Sequence, residues 1–105
     1  MANPWTGEVA LTINGERRVA KLTLGALAEL EDRLGAGSIT ALVERFEAQT
    51  LKSVDVLALV CAGLRGGGWN GDLEDLLDAE IEGGLLEAAR VGARLLVLAF
   101  QPAPS

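Results

Sequence analysis

The sequence predicts a mainly α (α+β) fold: an N-terminal β-hairpin followed by a bundle of four to five short helices. Three observations predict it. An Asn-Gly pair separates two short runs with strand patterning near the N-terminus. From Thr23 onward, apolar residues recur at helical spacing. Leu and Ala, which favour helix, dominate the apolar set. At 105 residues, half of them hydrophobic, the chain suits one domain, residues 1–105, with a packed core.

Residues 8–13 (EVALTI) alternate through Val9, Leu11 and Ile13, and ERRVAKL returns as a second strand, placing strands near 8–13 and 17–22 of a hairpin over 8–22. Asn14-Gly15 suits a type I′ turn, whose two central residues need positive φ. A two-residue turn sets Leu11 opposite Arg18. A one-residue bulge sets it opposite Val19, which fits the apolar pattern better and is the preferred register.

Thr23 is placed to N-cap a helix over about 24–34, with Leu24, Leu27, Leu30 and Leu34 on one side and Gly35 as a left-handed C′ residue. Ser38 caps a helix over about 39–48, where Ile39, Leu42, Val43 and Phe46 oppose Glu44, Arg45 and Glu47. Ser53 opens a third helix, about 54–65. It is apolar without a break from Val56 to Leu64, as expected of a helix at the centre of a bundle. Asp72 caps a fourth, about 73–82, carrying Leu73, Leu76, Leu77 and Ile81, with Glu74, Asp75, Asp78 and Glu82 on its other face. After Gly83-Gly84 a last helix, about 85–100, confines Glu87, Arg90, Arg94 and Gln101 to one stripe, and Pro102 stops it.

Several function classes are excluded by composition. The net charge of −6 opposes binding to nucleic acid, which requires Lys and Arg to displace counterions. Histidine is absent, so the commonest metal ligand and general base is missing. Cys61 lies inside the apolar run and reads as a small core hydrophobe, with no His to activate it. The start of the chain has neither a basic nor an apolar leader segment, and the apolar stretch 85–100 is too short and too charged to span a bilayer. These features predict a cytoplasmic protein that binds no membrane.

The stretch GLRGGGWNGDLEDLL, residues 63–77, decides between a phosphate loop and a joint. A P-loop needs a preceding strand and a Lys followed by Ser or Thr at the helix start. Here a helix precedes Gly66-Gly67-Gly68, no Lys follows Lys52, and Asp72 repels phosphate. The glycines therefore read as a C-cap and hinge. Trp69 reads either as a cover for the end of the third helix or as a binding anchor, and Trp5 poses the same choice. The acidic carboxylates are spaced to face water rather than to form a Ca²⁺ loop. No catalytic constellation, metal site or cofactor site is predicted, and the chain is not expected to be an enzyme.

The stretches GEVALTINGERRVAKLTLGALAELE (7–31), ALVERFE (41–47) and DVLALVCAGLRGGG (55–68) resemble the small tail protein of gene transfer agents, the domesticated phage-like particles with which bacteria package host DNA. The resemblance covers residues 3 to about 100. That family is labelled a tail tube protein and is also read as a tail assembly chaperone. The resemblance implies a chaperone that binds the helical tape measure protein and passes it to tail tube protein subunits. The alternative is a structural tail tube or tube-end subunit; a small regulatory protein-binding module is more distant.

Surplus apolar surface agrees with a binding role. The third and last helices are apolar over most of their circumference, and a domain this small surrounds only one of them fully. The expected partner surface, for the tape measure or for a homo-oligomer, comprises Leu86, Leu96, Val97 and Phe100 with Trp69 beside them.

Overall fold

The computed structural model describes residues 7–35, 37–48, 50 and 52–100, the side chains of Leu34, Ser38, Ile39 and Phe100 excepted. Strands β1 (Glu8–Ile13) and β2 (Glu16–Lys21) form an antiparallel hairpin. Helices α1 (Leu24–Leu34), α2 (Ser38–Glu47), α3 (Ser53–Gly66), α4 (Leu73–Leu77) and α5 (Gly84–Phe100) follow. The expected class, a hairpin followed by short helices, is the observed one.

The hairpin closes through a two-residue turn, with Asn14 at φ 52° and Gly15 at φ 81°. Leu11 therefore pairs with Arg18, and the expected bulge does not form. With both turn residues at positive φ, a type I′ turn matches the strand twist without an extra residue. Val9, Leu11 and Ile13 are buried on β1, and Ala20, opposite Val9, is buried on β2. Arg18 keeps its charge in solvent, where it pairs with Glu16 at 2.8 Å.

Thr23 caps α1, its hydroxyl accepting from Ala26 N at 3.0 Å. The core side of α1 is Ala26 and Leu30, with Leu27 partly buried. Leu24, at the first helical position, is exposed instead of joining that side. Gly35 ends the helix at φ 104°, ψ 167° rather than in the left-handed helical region. Only glycine tolerates that combination readily. Gly37, not Ser38, occupies the N-cap of α2, and its φ of 79° turns the chain directly into the helix. Leu42 of α2 is buried, and Val43 and Phe46 pack against the core.

Helix α3 is the axis of the fold. Val56, Ala58 and the run from Leu59 through Leu64 are buried. Glycines let its neighbours approach closely. The space a side chain would take at Gly63 is filled by Leu95 of α5, and that at Gly92 of α5 is bordered by Leu59. Helix α4 is shorter than the expected 73–82 and ends at Leu77. Its spacing is helical through Ile81, but tertiary pairing wins. Ile81 bridges Ile13, Glu82 N donates to Thr12 O at 3.0 Å, and Asn14 N donates to Glu80 O at 2.8 Å. The segment after α4 thus lies along the outer edge of β1 as an incipient third strand.

Candidate partner surface

Gly66 and Gly67 do more than cap α3. A Cβ at Gly66 would collide with Lys21 O, and one at Gly67 with Val19 O. The end of α3 therefore rests against the β2 backbone, and only glycine permits this approach. Gly68, at φ 103°, then turns the chain. The expectation of a cap and hinge captured the turn and missed the contact. Nothing local in GLRGGG signals a backbone partner so far back in the chain.

Trp69 folds back onto this joint. Its N–H donates to Leu64 O at 2.9 Å, and its side chain is partly buried against the core. The indole occupies the space beside Gly71, where a Cβ would strike the ring. Arg65 fixes the loop from the other side. Its guanidinium donates to Gly71 O at 2.9 Å and pairs with Glu29 of α1 at 2.7 Å. Trp69 borders a groove of about 510 Å³, walled by the cap residue Thr23, by α1 through Glu29, and by Arg65, Gly66, Gly68 and Asn70. Trp5 lies outside the described residues.

The other expected partner residues lie on α5. Leu86 is 84% exposed and Val97 47% exposed. They are eleven positions apart, which places them within about 20° of each other around the helix. Exposed Arg90 stands between them, joined to Glu87 by two hydrogen bonds of 2.7 Å. That pairing holds the Glu87 carboxyl below its ordinary value and raises the Arg90 guanidinium. Leu96 is 2% exposed, because the same helix turns Ala88, Val91, Leu95 and Leu96 into the core. It offers no free surface, contrary to the expectation. The Phe100 side chain, together with Gln101 and Pro102, lies outside the described residues. Among the described residues, the lining of the Trp69 groove includes none from α5, so the structure does not join Trp69 and the α5 residues in one groove.

The remaining chemistry-bearing groups have structural surroundings. Burial pushes the Cys61 thiol above its ordinary value, which keeps it protonated and unreactive. Asp72 and Asp75 cap α4 reciprocally: Asp72 Oδ1 accepts from Asp75 N at 3.1 Å, and Asp75 Oδ2 accepts from Asp72 N at 3.0 Å. Among the described residues, no group of three or more His, Cys, Asp or Glu side chains is placed to hold a metal ion. No described helix is long and apolar enough to cross a membrane.

No curated protein and no solved structure gives a significant match to the chain. A family model does match, over residues 6–102, a span that takes in the hairpin and all five helices. The chain belongs to that family, described as phage tail tube protein, GTA-gp10.

Proposed function

We propose that this tail-family protein is an assembly chaperone of a gene transfer agent. In this reading it binds the tape measure protein in the cytoplasm, keeps its apolar helices from aggregating and passes it to tail tube subunits. It then leaves the finished particle. The observation that carries the reading is the scarcity of sheet. A tube subunit polymerises through extensive β-structure, whereas the described residues of this chain form a two-stranded hairpin. Both edges of that hairpin are partly occupied from within, by Gly67 at β2 and by Glu80–Glu82 at β1. Exposed Leu86 and Val97 supply apolar surface for a partner helix or a second copy, and the groove beside Trp69 adds a recess whose walls are mostly polar. The role is one of binding, with no catalytic step.

The alternative, a structural tail tube or tube-end subunit, is favoured by the family's own description. Mass spectrometry of purified particles separates the two. The chaperone reading expects this chain to be depleted from particles, and abundant copies would overturn it. Trp69→Ala and Val97→Asp, each checked for folding, are expected to weaken capture of co-expressed tape measure protein.

A further inference from the structure

Asn14 sits at the centre of a tertiary clasp. Its N–H donates to Glu80 O at 2.8 Å, and its side-chain Oδ1 accepts from Glu80 N at 2.8 Å. The Ile13–Ile81 bridge and the bond from Glu82 N to Thr12 O complete the clasp. Yet Asn14 is exposed and precedes an exposed Gly15 with open space where a side chain would stand. An Asn side-chain amide is thermolabile. A following glycine leaves its backbone nitrogen unhindered as an attacking group.

We propose that Asn14 is a site of spontaneous deamidation, restrained by the clasp to Glu80 and opening that clasp irreversibly where the product is isoaspartate. The Gly15 nitrogen loses its proton to solvent base and bonds to Asn14 Cγ. The Cγ–Nδ2 bond then breaks, ammonia leaves, and a five-membered succinimide remains. Water adds to one of the two ring carbonyls and opens it. Opening at Cγ leaves aspartate; opening at the main-chain carbonyl leaves isoaspartate. One water is consumed, one ammonia is released, and nothing is oxidised or reduced.

The clasp restrains the first step because Cγ must swing toward the Gly15 nitrogen. In the folded protein Oδ1 is tied to Glu80 N, and the backbone is fixed at φ 52°. The isoaspartate product cannot restore the clasp. Its main chain runs through Cβ and Cγ, one methylene longer, so the register of residues 12–14 against 80–82 is lost. The segment so released joins α4 to α5.

The test follows conversion by intact mass and peptide mapping in mildly alkaline buffer, for the folded protein, the urea-unfolded chain and an Ile81→Ala variant. Conversion at Asn14 is expected to be about tenfold or more slower in the folded protein than in the unfolded chain. Ile81→Ala, which weakens the clasp and leaves Asn14-Gly15 intact, is expected to fall between them. If Ile81→Ala unfolds the chain, sub-denaturing urea on the native protein weakens the clasp in its place. The purified isoaspartyl form is expected to lose amide-exchange protection at Asn14, Glu80 and Glu82. Absence of conversion in the folded protein overturns the site. Equal folded and unfolded rates, or no acceleration on weakening the clasp, overturn the restraint. Retained protection in the isoaspartyl form overturns the opening.

Discussion

Arg45 on α2 donates to the buried carboxylate of Asp55 on α3 at 2.9 Å, and Asp55 also accepts from Lys52 N at 3.4 Å. The pair is asymmetric: the Asp55 side chain is nearly covered, whereas that of Arg45 is 42% exposed. Removing the arginine strands a buried charge, while removing the aspartate leaves an arginine that can turn to water. Arg45→Ala is therefore expected to cost about 1–3 kcal/mol, discounted from a fully buried pair for the exposure of Arg45. The double variant Arg45→Ala/Asp55→Leu should recover part of the loss. Urea unfolding of the two single variants and the double variant measures the coupling; purely additive losses would show that the pair contributes nothing.

Gly67 and Gly68 look alike in sequence and differ in surroundings. A methyl at Gly67 meets the Val19 carbonyl oxygen, whereas one at Gly68 meets open space and only the strain of φ 103°. Gly67→Ala should cost about 1–3 kcal/mol or more, because backbone must move. Gly68→Ala should cost about 1–2 kcal/mol from backbone strain alone. Thermal unfolding ranks them; a reversed order would mean that the end of α3 does not rest on β2.

Helical spacing made α1, α2, α3 and α5 legible, because burial of one face imposes the period that the sequence displays. The same signal misled at Ile81, where a helical position is drawn into a bridge to Ile13, distant in sequence. The register around Leu11 was misjudged for a related reason. Apolar matching between strands counted for less than the turn geometry of Asn14 and Gly15. On α5 the wheel correctly gathered the charges into one stripe. It could not tell that Leu96 faces α5's buried side while Leu86 and Val97, beside the charged stripe, stay exposed, since that depends on where α3 and the hairpin pack. The contact of Gly67 with Val19 left no trace in local pattern at all.

Leu57 and Leu64, seven residues apart on α3, should respond differently to truncation. Leu64 is fully buried and Leu57 only partly so. Leu64→Ala should cost about 2–5 kcal/mol through lost transfer energy and a residual cavity. Leu57→Ala should cost roughly 1 kcal/mol, in proportion to the area it covers. Denaturant midpoints at constant m-value report the difference; equal losses would place both side chains in the same environment.

The α4 cap should fail in acid before the rest of the fold. The Asp72 carboxyl lies below its ordinary value of 3.8, chiefly because the backbone N–H of Asp75 donates to its ionised form. A depressed folded value means that the cap's contribution is complete above the unfolded value and is lost as pH falls through the folded one. An NMR titration of the Asp72 side-chain carbon should therefore give a midpoint below that of an Asp in an unstructured peptide. Below this midpoint the Asp75 amide should lose exchange protection, while Leu59 and Leu64, at the centre of α3, stay protected. Asp75→Ala keeps the backbone donor and should retain most of the depression; it removes only the smaller side-chain contribution. A midpoint in that variant returned to the ordinary value would assign the effect to the Asp75 side chain and not to the helix N-terminus.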